Sequence, residues 1–143
     1  MMKRALTLIM LLAVFTVSSM AQQGLRVADI FSRFGTEKGC KMVEMHDTRL
    51  HGYELRTYQS LTYSTHGDKI APLLEEDRQQ AKKIREVVSD GRIQSGYYIL
   101  PPTADGLNRY ILYTQKQDKS GAVIYIEGTL QPDDILKMCY KKK

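Results

Sequence analysis

The sequence predicts an α+β domain: an antiparallel sheet of about four to five strands with helices packed mainly on one face, in the order α-β-β-α-β-β-β-α. Apolar residues recur at helical spacing early and midway along the chain. Later segments are rich in β-branched and aromatic residues, which favour strands. A tight turn at Asp118–Gly121 joins two of these segments as an antiparallel hairpin.

Residues 1–21 have the composition of an export signal. Met1–Arg4 is positively charged, Ala5–Val17 is an almost uninterrupted apolar run, and Ser19–Ala21 places small residues before a cleavage site. The run forms about 20 Å of helix, less than the roughly 30 Å hydrocarbon core that a membrane anchor spans. We therefore expect cleavage after Ala21, a single exported domain at 22–143 and no transmembrane segment after processing.

A short amphipathic helix follows the signal. Four apolar residues share one of its faces: Val27, Ile30, Phe31 and Phe34. Gly35 stands where a left-handed C-terminal cap would end this helix. Two extended segments come next, at Cys40–Met45 and Tyr53–Tyr63, because their residues are typical of strands.

The longest predicted helix covers Asp68–Ser89. Its apolar stripe consists of Ile70, Leu74, Ala81, Ile84 and Val88. Asp68 can cap the helix, Pro72 falls in its first turn, where no intrahelical bond is lost, and Asp90–Gly91 ends it.

Three strands complete the predicted sheet: Ile93–Leu100, Arg109–Gln115 and Ala122–Glu127. A four-residue turn pairs Gln117 with Ala122. The resulting apolar face carries Ile111, Tyr113, Ala122, Ile124 and Ile126. The opposite, mixed face carries Tyr110, Thr114, Lys116, Val123, Tyr125 and Glu127. A last helix covers Pro132–Tyr140, with proline at its first position.

The formal charge of +5 does not indicate a nucleic-acid partner. Lys3 and Arg4 in the signal, with Lys141–Lys143 at the C-terminus, account for the whole excess, so the body of the domain is neutral. A nucleic-acid-binding domain carries a basic stripe across its folded surface. The lysine tail leaves a polyanion or lipopolysaccharide as an alternative ligand.

The nine tyrosines are the unusual feature of the composition. Tyrosine covers apolar surface and keeps a hydroxyl in water, so a tyrosine-rich face suits recognition of a protein, peptide or glycan in the cell envelope. The candidate binding residues are Tyr110, Tyr125 and Lys116. The alternative is that tyrosine simply suits half-buried strands.

Cys40 and Cys139 are the two cysteines of the chain and a candidate disulfide in an oxidising compartment. In the chain-entropy model, closing so long a loop stabilises a protein by about 4 to 5 kcal/mol. The alternative is two buried thiols.

No motif indicates catalysis or a cofactor. His46, His51 and His66 fall near Asp47 and Asp68, but their spacing places them on no common face, so we expect no metal site. The chain has no phosphate-binding glycine loop and no Cys-x-x-Cys. We therefore expect a non-catalytic binding module. The alternative is a small hydrolase or thiol-dependent enzyme that uses Cys40 or His46.

The run Ile124–Leu130 followed by Asp133–Ile135 resembles the ending of small exported Bacteroidetes proteins classed only as domains of unknown function. The signal ending Ala21–Gln22, the glycine-led strand from Gly39 and the long middle helix agree with this pattern. The resemblance covers most of the mature chain. It implies an uncharacterised periplasmic or secreted protein of a Gram-negative bacterium and supplies no catalytic residue.

Overall fold

The computed structural model describes residues 25–50 and 52–140, so the predicted export signal, His51 and the terminal lysines lie outside the described part. Its elements are α1 (Arg26–Phe34), β1 (Cys40–Leu50), β2 (Tyr53–Tyr63), α2 (Gly67–Gln80), β3 (Lys82–Ser89), β4 (Arg92–Leu100), β5 (Asn108–Gln115), β6 (Gly121–Gly128) and α3 (Pro132–Tyr140). The strands form one antiparallel sheet in the order β1-β2-β6-β5-β4-β3. The α+β class is confirmed, whereas the described sheet has six strands rather than four or five.

The additional strand, β3, occupies the second half of the predicted long helix. Helix α2 ends at Gln80, and the chain from Lys82 onward pairs with β4. Ile84, Val87 and Val88 are β-branched and favour extended backbone. Ile84 and Val88, which we predicted in the buried stripe, are 37% and 57% exposed. The predicted continuation of the helix is wrong because strand propensity and pairing with β4 outweigh the helical spacing.

Asp90 and Gly91 form the two-residue turn between β3 and β4. Their φ angles are 54° and 75°, and the flanking residues Ser89 and Arg92 pair with each other. Two successive positive φ angles are typical of a type I′ turn, which matches the twist of antiparallel strands. The prediction that Asp90–Gly91 ends a helix is therefore wrong, because the same dipeptide forms a hairpin.

Helix α2 begins at Gly67, and the N-cap residue His66 makes no side-chain capping bond. The prediction that Asp68 caps this helix is wrong, because its carboxylate pairs with Lys119 at 2.8 Å. Pro72 lies inside the helix rather than in its first turn. Since proline lacks an N–H, the helix loses one backbone hydrogen bond at that position.

The four apolar residues predicted for α1 are all buried. The Asp77 carboxylate of α2 accepts hydrogen bonds from the backbone N–H groups of Arg26 and Val27, each at 2.7 Å, and so caps α1 from the neighbouring helix. Gly35 has a right-handed φ of −59°, so the prediction of a left-handed cap there is wrong. The left-handed glycine of this connection is Gly39, with φ 84°.

The β5–β6 hairpin has a different register from the predicted one. Gln115 pairs with Gly121. The turn between them is closed by a 2.8 Å hydrogen bond from the backbone N–H of Lys116 to the backbone carbonyl of Ser120. The predicted pairing of Gln117 with Ala122 is wrong, because it differs from the observed register by an odd number of residues. Since successive side chains of a strand point to opposite faces, each side chain of β6 lies on the face opposite the predicted one. Two pairs of directly opposite residues therefore share a face, although we predicted their members on different faces: Ile111 with Tyr125 and Tyr113 with Val123.

Both faces of the sheet are covered by helices. The first face packs against α1 and α2 around Leu61, Tyr63, Tyr98, Tyr113, Val123 and Tyr125. The second face packs against α3 and its buried residue Ile135, around Leu55, Tyr97, Tyr110, Leu112 and Ile126. Two of the three helices in the described part thus share one face, and the third covers the other.

The predicted bounds of β2 and α3 agree with the structure, whereas β1 runs on to Leu50 instead of ending at Met45. Strands β1 and β3 form the two edges of the sheet. Both edges expose branched apolar side chains, Val43 on β1 and Val88 on β3. Among the described residues, no helix has both the length and the apolar composition needed to cross a bilayer.

Candidate functional site

A cleft of about 510 Å³ lies between α2 and the adjacent ends of β4 and β5 on the first face of the sheet. Its walls are formed by Ala71, Pro72, Leu74, Ile93 and Tyr113. Leu74 and Tyr113 are buried, so the floor of the cleft belongs to the core of the domain. We refer to this space as the α2 cleft.

A clamp of polar side chains holds α2 to the sheet beside the cleft. Arg78 of α2 donates to Glu86 of β3 at 2.8 Å and to the Tyr98 hydroxyl of β4 at 3.1 Å. The Tyr98 hydroxyl in turn donates to Glu86 at 2.6 Å. Burial acts to raise the pKa of Glu86, but these hydrogen bonds outweigh it and the net pKa is lowered. The carboxylate is therefore held in its charged form.

The clamp depends on the glycine at position 96. Gly96 precedes Tyr98 by two residues on the same strand, so both positions face α2. A Cβ at Gly96 would overlap the Tyr98 ring. The absence of a side chain therefore lets the ring lie along the strand and reach both Glu86 and Arg78.

A second polar group, on β5, lines the opposite wall of the cleft. The Oε1 atom of Gln115 accepts hydrogen bonds from the hydroxyls of Tyr63 at 3.3 Å and Tyr113 at 2.5 Å. Near it, the Asp68–Lys119 pair fixes the start of α2 against the β5–β6 turn. The hydrogen bond from Lys119 lowers the pKa of Asp68. The cleft therefore has apolar walls between two polar networks that are already hydrogen-bonded.

Lys116, one of the predicted binding residues, lies next to the α2 cleft. It lines a smaller depression of about 270 Å³ at the end of the β3–β4 hairpin. Arg92, Ile93 and Gln115 line both spaces, so the two adjoin. The side chain of Lys116 is exposed in the turn between β5 and β6.

The other two predicted binding residues do not join Lys116. Tyr110 and Tyr125 are both fully buried, at 0% exposure, and they lie on opposite faces of the sheet. Our prediction that they share one mixed face is wrong, because it followed from the wrong hairpin register. The Tyr110 hydroxyl donates to the backbone carbonyl of Leu130 at 2.7 Å. The two rings are part of the core of the domain.

Tyr125 belongs to a buried polar cluster at the far end of the first face. Its hydroxyl donates to Glu127 at 2.7 Å, and Glu127 is only 1% exposed. Arg56 lies 3.9 Å from Glu127 and pairs with Asp105 of the β4–β5 loop. The register between β2 and β6 shifts at Arg56, which marks a β-bulge. A space of about 410 Å³ opens beside this bulge, lined mostly by polar residues of the β1–β2 hairpin.

Cys40 does not combine with His46 in the structure. Its Sγ atom lies 3.5 Å from Nδ1 of His66, and burial, followed by the charge of Glu37, raises the pKa of this thiol. A reactive thiolate requires a lowered pKa. Helix α3, which carries Cys139, packs on the opposite face of the sheet, but the Cys139 side chain lies outside the described residues. The disulfide stays a prediction.

His46 lies on β1, and its Nε2 atom is 2.8 Å from Glu44. Glu44 also accepts a hydrogen bond from Gln59 at 3.1 Å. Among the residues that the structure describes, no three metal-ligating side chains lie close enough to hold an ion. His51 is outside this set.

Sequence reasoning missed the residues that shape the cleft. Arg78 and Arg92 lie outside the predicted apolar stripe and the predicted strands, and Gln115 is only the last residue of a predicted strand. Their proximity depends on β3, which sequence spacing assigned to a helix. The Asp90–Gly91 dipeptide was the available signal, because a hairpin there brings Arg92 and Ile93 back beside α2.

Residues 14–139 match the profile of a protein family described as a family of unknown function, DUF6108. No curated protein and no solved structure gives a significant match to the chain.

Proposed function

The chain belongs to DUF6108, a family of unknown function, and on that premise we propose that it is an exported, non-catalytic module whose α2 cleft binds a small molecule of the cell envelope. The cleft itself carries this proposal. Its volume of about 510 Å³ lies within the range typical of small-molecule sites, which combine apolar walls with a few fixed polar groups.

The polar groups around the cleft support binding rather than chemistry. Arg78, Glu86 and Tyr98 satisfy one another and join three elements, which is the role of a structural clamp. Burial raises the pKa of the Cys40 thiol, the opposite of what a thiol-dependent enzyme requires. These two observations favour a pre-formed binding site over the alternative of a hydrolase or thiol enzyme.

Filling the cleft tests the binding proposal. We expect Ala71→Leu to occupy part of the cleft, whereas Ala104→Leu, in the exposed β4–β5 loop, adds the same volume elsewhere. Each purified protein is dialysed to equilibrium against an organic-solvent extract of bacterial envelopes, and retained compounds are identified by mass spectrometry. Wild type and Ala104→Leu should retain the same compounds, and Ala71→Leu should lose them. Equal retention by all three proteins would contradict the proposal.

Export is supported by the charged start, the apolar run and the small residues of 1–21. Expression of the full chain in a Gram-negative host, followed by fractionation and N-terminal sequencing, tests it. We expect the processed protein to begin at Gln22 and to lie in the periplasm or the medium. Recovery of the intact chain from the cytoplasm would contradict export.

A further inference from the structure

We infer that the ligand of the α2 cleft is a small amphipathic anion, an aliphatic chain that ends in a carboxylate. This inference rests on the proposed binding function and adds the chemical class of the ligand. Its basis is the juxtaposition of an apolar wall with one cation and an amide donor in the cleft and a second cation in the adjoining depression.

The apolar wall suits an aliphatic chain. Ala71, Pro72 and Leu74 come from one helix, and Ile93 and Tyr113 face them from two strands. A chain that lies between them removes apolar surface from water on both sides, which favours binding. Four charged residues also line the cleft: Asp68, Glu75, Arg78 and Arg92.

The charged residues of the cleft are not equivalent. The carboxylates of Asp68 and Glu75 are already paired, with Lys119 and Arg78 respectively. Arg92, by contrast, forms no ion pair within 4 Å among the described residues. Arg92 acts on the Asp68 carboxylate at longer range, where it helps to lower the pKa of Asp68. Within the described part it is therefore the lining cation of the cleft that has no direct ion pair.

The adjoining depression adds a second cation to this end. Lys116 forms no ion pair among the residues described, and it lies in the space that shares Arg92 and Gln115 with the cleft. One carboxylate, Asp90, also lines the depression and is likewise outside any ion pair in the described part. The charged residues that line the two spaces balance: Arg78, Arg92 and Lys116 against Asp68, Glu75 and Asp90. Arg92 and Lys116 are the cations among them without an ion pair in the described part, and they favour an anionic group over a cationic one at this end.

Gln115 selects an acceptor on the ligand. Its carbonyl oxygen already accepts from the hydroxyls of Tyr63 and Tyr113. Within the described part of the chain, its Nε2 amide has no hydrogen-bond partner. An amide whose oxygen is occupied offers only N–H donors, and a carboxylate supplies the acceptors that they require.

Three probes of equal chain length test the ligand class: decanoate, decanol and decyltrimethylammonium. Binding to the mature protein is measured by isothermal titration calorimetry at two salt concentrations. We expect decanoate to bind about tenfold more tightly than decanol, and the cationic probe to bind most weakly. The preference for decanoate should decrease at higher salt, because exposed charges are screened.

Charge variants test the assignment of Arg92. Arg92→Gln should weaken decanoate binding about three- to tenfold and leave decanol unchanged, as expected for an exposed ion pair or charge-assisted bond. Asp90→Asn should tighten decanoate binding about twofold, and asparagine also suits the left-handed φ of this turn position. Lys41→Gln, which removes a charge from the far edge strand, should change nothing.

The outcomes separate this inference from the proposed function. If decanol and decanoate bind equally, or if Arg92→Gln has no effect on decanoate, the anionic class is wrong. Failure of all three probes to bind also overturns the ligand class. In either case the proposed function stands if Ala71→Leu still loses the compounds that wild type retains from envelope extract. If Ala71→Leu retains them too, both proposals fail.

Discussion

Single carboxylates on α2 and β3 decide how the helices attach to the sheet. Asp77, at 0% exposure, caps the first turn of α1 although it is distant in sequence. Glu86 anchors α2 to the edge hairpin through Arg78 and Tyr98. Neither role is visible in sequence, because acidic residues on an amphipathic helix are usually solvated. The partners become neighbours only after the elements pack.

At this scale we predict that Glu86→Gln makes the protein less stable at neutral pH and less sensitive to acid. The pKa of Glu86 is lowered in the folded state, so its contribution is complete above the unfolded value of about 4.5 and is lost as pH falls through the folded pKa. Hydrogen bonds to charged groups contribute about 1.5–3 kcal/mol. Urea unfolding from pH 7 to 3 should show the variant and wild type converging as pH falls.

The control is Glu37→Gln, which removes an exposed carboxylate from the α1–β1 connection. It should leave the free energy of unfolding at neutral pH within about 0.5 kcal/mol of wild type. A constant difference between Glu86→Gln and wild type across the pH range would contradict the proposed role of the charged carboxylate.

Elements with one dominant signal were predictable. Helix α1 and helix α3 carry clear apolar spacing or a proline start, and strand β2 has the expected bounds. Strand β3 was not predictable, because Ile84 and Val88 fit helical spacing as well as strand propensity. Two local rules conflicted there, and pairing with β4 decided between them. The cleft depends on β3, so it could not be predicted either.

The Asp90–Gly91 turn provides a test of this element. We predict that Gly91→Ala lowers the free energy of unfolding by about 1–2 kcal/mol, because a Cβ is disfavoured at its φ of 75°. Space is not the reason, since a Cβ there would meet no atom within 4 Å. Chemical denaturation measures the change. A variant as stable as wild type would mean that this hairpin tolerates another turn conformation.

Gly96→Ala is unsuitable as a control because the added Cβ would overlap the Tyr98 ring. Ala122→Gly is a better comparison. It changes alanine to glycine in β6, where no positive φ is required, and should lower stability through backbone entropy and the loss of a half-buried methyl group. A loss of stability in Ala122→Gly measures the general effect of glycine in a strand. The loss of stability in Gly91→Ala measures the cost of a side chain in the left-handed turn.

The described part of the molecule has two cores on opposite faces of one sheet. The first core contains Leu61 and the second contains Ile126, and both side chains are fully buried. Because neighbouring residues of each strand contribute alternately to the two cores, neither core can form without the sheet. The hairpin register predicted from sequence is shifted by an odd number of residues, and it therefore showed one apolar face where the structure has two.

We predict that Leu61→Ala and Ile126→Ala each lower the free energy of unfolding by about 2–5 kcal/mol and preserve one cooperative transition. Urea unfolding followed by tyrosine fluorescence and far-ultraviolet circular dichroism measures this. The two signals should coincide in both variants. Two separated transitions in either variant would show that the faces unfold independently.

The open margins of the sheet have a consequence for self-assembly. The edge strands β1 and β3 carry backbone donors and acceptors that can pair with a further strand, and edge-to-edge pairing of this kind joins sheets into filaments. The edge strand β3 carries the exposed basic side chains Lys82 and Lys83, of which Lys83 pairs with Glu86 at 3.6 Å, and charged side chains on an edge oppose pairing with a second copy. Concentrated salt weakens that repulsion, so high ionic strength is the condition under which this protein is expected to polymerise.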